Sequence, residues 1–164
     1  MDTKETNLLS VESLAEIDAW IKKYPADKKQ SACMAALRIA QDANGGYLTE
    51  PLMDAVADYL GMPRISVYEV ATFYSMYELS PVGKHKICVC TNISCMLCGS
   101  DEVVSHLNKR LGIGLGETTA DGRITLKEVE CLGACVGAPM LQIGEKYFEN
   151  LTPESIDAIL DALD

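Results

Sequence analysis

The stretch Val89-Cys90-Thr91-Asn92-Ile93-Ser94-Cys95-Met96-Leu97-Cys98-Gly99-Ser100 decides how this chain is read. Just before it, His85 to Val89 alternates polar and apolar residues as a half-buried strand does. Just after it, Leu97 to Leu111 carries Val103, Val104 and Leu107 at helical spacing. A second cysteine pair, Cys131-Leu132-Gly133-Ala134-Cys135, follows another extended run, Ile124 to Glu130, which is entered through the turn signal Asp121-Gly122. Met140 to Ile143 and Tyr147 to Glu149 then flank Gly144-Glu145 as a tight hairpin. Thr152-Pro153-Glu154 opens a closing helix with Ile156, Ile159, Leu160 and Leu163 inward.

Upstream the period is helical throughout, and four helices are expected. Ser10 caps the first, whose Leu14, Ile17 and Ile21 share a face, and Pro25 ends it. The second runs from near Asp27 to Ala43 with Cys33, Leu37 and Ala40 inward and stops at Asn44-Gly45-Gly46. The third starts around Thr49 with Pro51 in its first turn, buries Leu52, Val56, Tyr59 and Leu60, and closes at Gly61. A capping box, Ser66-Val67-Tyr68-Glu69, is expected to open the fourth, and Ser80-Pro81 ends the helical half. Phe73, Tyr74, Met76 and Tyr77 put aromatics on that fourth helix, where packing between the two domains is their expected role. The fold class is therefore α+β: an N-terminal helical bundle over residues 1–82, then a small α/β domain over 83–164.

Composition narrows the function. The 164 residues are 48% hydrophobic and 23% charged, ordinary globular usage. With 14 basic against 24 acidic side chains the formal charge is −10, which phosphate backbones and anionic lipid would repel, so no nucleic-acid partner is expected. No uncharged apolar run approaches the roughly 18 to 20 residues that cross a bilayer, so no direct membrane insertion is expected. The polar opening MDTKETNLLS, with Asp2 and Glu5, is unlike a secretory signal and makes a reducing compartment the default. Seven cysteines there cannot all pair within the chain, which points to metal or redox chemistry.

Two loops that each supply two thiolates can enclose a two-iron, two-sulfide cluster. From Ile87 to Ser100, and again from Cys131 to Gly144, there is no charged side chain. A thiolate-held cluster is already anionic and gains a further negative charge on reduction, so nearby carboxylates would oppose the electron. Cys90, Cys95, Cys131 and Cys135 form one ligand set. Because Cys90, Cys95 and Cys98 also match the plant-type ferredoxin spacing, a second set replaces Cys135 by Cys98. The first set places its pairs equivalently at two strand ends and gives Cys135 a role. A four-thiolate zinc site and a CxxC dithiol on Cys95 and Cys98 are the readings from other classes. Gly112 to Gly116 follows a helix and lacks the strand and glycine spacing of a dinucleotide site, so it reads as a loop. His85 and His106 stand alone in sequence and read as surface residues.

Val70-Ala71-Thr72-Phe73-Tyr74, Pro81-Val82-Gly83, VCTNISCMLCGS from Val89 and GETTADGRITLKEVECLGACVGAPM from Gly116 together resemble the E subunits of bacterial NADH:quinone oxidoreductase, respiratory complex I. The resemblance runs from about Tyr24-Pro25 through KYFENLTPESI. It implies that 83–164 is a thioredoxin-like domain with one 2Fe-2S cluster on Cys90, Cys95, Cys131 and Cys135. It further implies a partner flavoprotein subunit that binds FMN and NADH and exchanges single electrons with the cluster. A place on the cytoplasmic face of the inner membrane, held through the complex, follows from the same likeness. Similar subunits serve NAD-linked hydrogenases and formate dehydrogenases, and Cys98 departs from the minimal motif of the family.

Overall fold

Hydroxyl caps and glycine stops set the helices of the first half. The computed structural model describes residues 8–163; Asp2 and Glu5 lie outside the described residues. The chain divides into two compact units, one ending at Pro81 and one beginning at Val82. In the first, Ser10 Oγ accepts the Ser13 amide and starts α1 (Val11–Ile21), while Thr49 Oγ1 accepts the Leu52 amide and starts α3 (Glu50–Leu60). Gly61, at φ 67°, closes α3 in the left-handed conformation that glycine adopts without strain.

Two expected helices begin elsewhere. Residues Ala26–Ala32 form a kinked 3-10 segment, with Lys28 at φ −119° and ψ 34°, and the α-helix proper, α2, spans Cys33–Ala43. Asp27-Lys28-Lys29-Gln30 offers no apolar stripe to hold an α-turn against the core. The fourth helix, α4 (Arg64–Phe73), starts ahead of the expected capping box, with Pro63 at its N-cap and the Pro63 carbonyl accepting the Ser66 amide. Arg64 binds Asp54 at 2.8 Å and Asp58 at 3.4 Å on α3, drawing the first turn forward. The helix ends at Phe73, so Tyr74 to Tyr77 lie beyond it; Phe73 is 80% exposed and Met76 is exposed, while Tyr77 is buried and donates its hydroxyl to the Met34 carbonyl.

Ile17, Leu37, Leu48, Val56 and Val67 fill the core of this unit. Tyr59 is only partly buried, because its hydroxyl reaches Asp18 at 2.6 Å. Buried Gln41 ties down the segment after α4, donating to the Met76 carbonyl and accepting the Glu78 amide at 2.7 Å.

The second unit is a four-stranded mixed sheet with order β2-β1-β3-β4. Strand β1 (His85–Cys90) lies parallel to β2 (Ile124–Val129), and β3 (Leu141–Ile143) lies antiparallel to both β1 and β4 (Lys146–Phe148). Parallel neighbours need a crossover, supplied here by α5 (Ile93–Leu97) and α6 (Ser100–Leu111). The sequence predicts one helix from Leu97 to Leu111; in the structure Leu97 ends α5, and Gly99 at φ 96° delays the start of α6 to Ser100. Ile87, Val89 and Leu126 pack with Leu107 of α6 and Ile156 of α7 (Pro153–Asp161). The α+β class and the helical N-terminal part are thus borne out.

Gly83 leads into β1 with its amide on Thr125 Oγ1 at 2.6 Å, and a Cβ there would stand 2.8 Å from the Ile124 backbone. Backbone cannot yield as a side chain does. Gly83→Ala should therefore cost about 1–3 kcal/mol, read as a lower urea midpoint without a change in slope.

Candidate metal centre

Register builds the site. Pairing of Cys90 with Val129 ends β1 and β2 at the same edge, so the loop after each strand leaves from the same place. Cys90 is the last residue of β1 and only 3% exposed; Cys95, the third residue of α5, is 1% exposed. They pack with Met140, against Leu132, Ala134 and Ala138 from the other loop. Asn92 caps α5, its side chain accepting the Ile93 amide. Cys131 lies two residues beyond β2, and Cys135 opens a single 3-10 turn, Cys135–Gly137; both are exposed.

The sulfurs act on one another. Burial pushes the Cys90 thiol up, but backbone hydrogen bonds at Asn92 and Leu132 and the Cys95 and Cys131 thiols more than offset it, leaving Cys90 below an ordinary thiol. Burial first, then the hydrogen bond with Cys90 and its charge, push Cys95 up to about 11; the Met140 backbone opposes this and the charge of Cys135 adds to it. The two loops therefore meet where the Cys90 and Cys131 thiols interact, with Cys135 close enough for its charge to act on Cys95. Among the described residues, no three His, Cys, Asp or Glu side chains gather around one point as a single ion would require. A two-iron centre takes its thiolates in pairs, whereas a mononuclear zinc site needs all four on one ion.

Thiol–disulfide exchange asks for an accessible sulfur of low pKa. Cys95 is buried and raised, and Cys98 sits exposed at the end of α5. That geometry disfavours a redox dithiol.

A model of the thioredoxin-like [2Fe-2S] ferredoxins matches residues 17–164. The chain belongs to this family. The E subunit of the NADH-quinone oxidoreductase of Rickettsia bellii (strain RML369-C) is 48% identical over 164 residues, covering 99% of this chain and 98% of that protein. The E 2 subunit of the same complex from Rhizobium meliloti (strain 1021) is 47% identical over 147 residues, covering 90% and 86%. The resemblance to the E subunits read from the motifs is thereby borne out. A NAD+-reducing [NiFe]-hydrogenase in its air-oxidized state shares the fold at TM-score 0.65 and 21% identity, over 82% of this chain; the chain spans only 22% of that longer one.

The Gly133 amide donates to Cys131 Sγ at 3.4 Å, with Gly133 at φ 75°. Two carboxylates that the sequence places outside the neutral stretches come back in space: Glu128 accepts the Thr91 hydroxyl at 2.7 Å, and the Glu149 side chain lies across Gly137, where an added Cβ would come within 2.5 Å of it. Both follow from strand pairing, which a linear reading does not see. His106 also departs from expectation, since it is partly buried and bonded to Asp157 at 2.9 Å. Gly112 ends α6 at φ 70°, and Gly112 to Gly116 is a loop. Among the described residues no helix is long and apolar enough to cross a membrane.

Cys33 lies outside this site, buried in the helical unit with its thiol pushed up to about 11 by burial. Brief iodoacetamide treatment at pH 8 should modify Cys98 and leave Cys33 unmodified, as read by peptide mass spectrometry.

Proposed function

We propose that this chain is an electron-transfer subunit of an NADH:quinone oxidoreductase, in which Cys90, Cys95, Cys131 and Cys135 hold one [2Fe-2S] cluster that exchanges single electrons with FMN on a partner flavoprotein subunit. One observation carries the reading: two neutral cysteine loops meet at one sheet edge in a chain 48% identical over nearly its full length to the E subunit of such a complex. When bound, the cluster supplies a one-electron couple.

The donor set fits that group. Four sulfurs come in two pairs from two loops, Cys90 and Cys95 are shut off from water, and an amide already points at Cys131. Such amide–sulfur bonds favour the more negative state and so ease reduction. Cys131 and Cys135 stay exposed, with exposed Ile93, Leu97 and Val136 beside the four cysteines, Val136 fully so. That edge suits a partner that covers it, and the charge of −10 suits a basic surface on the partner. FMN and NADH belong to the partner, for this chain carries neither a P-loop nor a dinucleotide fingerprint. It catalyses nothing alone and sits on the cytoplasmic face of the inner membrane through its complex.

Three measurements test this. Anaerobically purified protein should hold about two iron and two sulfide per chain; zinc, or no metal, would reject the cluster. Cys135→Ser should lose the visible absorption and the reduced-state EPR signal while Cys98→Ser keeps both, and the reverse would move the fourth ligand to Cys98. Affinity purification from extract should recover an FMN-containing subunit of a quinone reductase. Recovery of a hydrogenase or formate dehydrogenase instead would reassign the assembly.

A further inference from the structure

The Leu132–Gly133 peptide of the second cysteine loop is hydrogen-bonded on both sides. Its N–H, that of Gly133, donates to Cys131 Sγ at 3.4 Å, and its carbonyl, that of Leu132, accepts the Tyr147 hydroxyl at 2.8 Å. Tyr147 lies on β4, the outer strand of the sheet, and is 45% exposed. Gly133 is at φ 75°, and a Cβ there would meet nothing within 4 Å, so the glycine answers to backbone conformation and not to crowding. That conformation turns the amide back onto the sulfur two residues earlier. A peptide unit is planar and rigid, so a bond on its carbonyl fixes where its N–H points. The two bonds also polarise one another, as hydrogen bonds in a chain do. The Leu132 backbone further hydrogen-bonds the Cys90 thiol, so this short run of chain serves sulfurs from both loops.

We infer that Tyr147 is a positioning residue for the metal centre: its hydroxyl holds the Leu132–Gly133 peptide with the amide on the Cys131 sulfur, and in doing so favours the reduced state of the bound group. The inference rests on the cluster reading above. An amide donor stabilises the more negative form of a thiolate-held group more, so freeing the peptide makes reduction harder. Only the hydroxyl carries this role, so a ring without it keeps its packing and loses the effect.

EPR-monitored redox titration of the full chain, purified anaerobically, reads this out beside an iron and sulfide assay. Tyr147→Phe, which keeps the ring, should hold its iron with the one-electron equilibrium shifted about threefold toward the oxidised form, a midpoint lower by about 28 mV. Replacing Tyr147 by 4-aminophenylalanine, which returns a donor to the end of the ring, should bring the midpoint back toward wild type. Full iron in Tyr147→Phe with an unmoved midpoint, or a lowered midpoint that the amino ring does not restore, overturns the inference and leaves the cluster reading standing. An iron-free wild-type protein overturns both. If Tyr147→Phe loses its iron, the amino variant decides: iron held with a midpoint near wild type supports the donor, and any other result there overturns it.

Discussion

The parallel pairing of β1 with β2 is the constraint on which the rest depends. With Cys90 opposite Val129, two segments about forty residues apart in sequence leave the sheet together and have to share one edge. Parallel pairing also forces a crossover, and the crossover is where Cys95 lies. One register thus sets the location of all four cysteines. A slip by one residue would turn Ile87, Val89 and Leu126 away from α6 and α7, so the hydrophobic core that fixes the register fixes the place of the cysteine loops with it.

Much of this was legible in the chain because the signals are local. Ser10, Thr49 and Thr152 accept amides within a turn of themselves and Gly61 turns left-handed where α3 stops, so each does in the structure what its chemistry predicts. The cysteine loops were legible for a similar reason: each pair directly follows a period-two run. The misreadings have a common origin in distant partners. Ser66 looks like a cap until Arg64 is seen bound to Asp54 and Asp58 on another helix. Leu97 looks like a helix start until Gly99 turns left-handed. Glu128 and Glu149 look remote from the neutral loops until strand pairing returns them beside Thr91 and Gly137.

Those carboxylates bear on how an electron would be held. Neutral loops keep charge away along the chain, yet Glu128 is tied to the Thr91 hydroxyl and Glu149 lies along Gly137, so negative charge still borders the site from its flanks. Against it stands the Gly133 amide, which donates to Cys131 Sγ. The local field is a balance of fixed dipoles against peripheral carboxylates, not simply an absence of charge.

A ligand loop without regular structure has to be stiffened from outside if its sulfurs are to stay in place. The β3–β4 hairpin does this despite strands of only three residues each, too short to be stable alone. Tyr147 on β4 donates its hydroxyl to the Leu132 carbonyl at 2.8 Å, the Asn150 amide beyond β4 bonds the Gly137 carbonyl at 2.7 Å, and the Cys90 amide bonds the Met140 carbonyl at 3.3 Å. The loop from Cys131 to Met140 is thereby fastened near both ends and once to the strand that ends on Cys90. Without the hairpin, the exposed Cys131 and Cys135 would belong to a free segment and the ordering entropy of that segment would fall on metal binding. With it, much of the ordering is done when the sheet forms, and the same β1 that ends on Cys90 carries the support for the loop that holds Cys131 and Cys135.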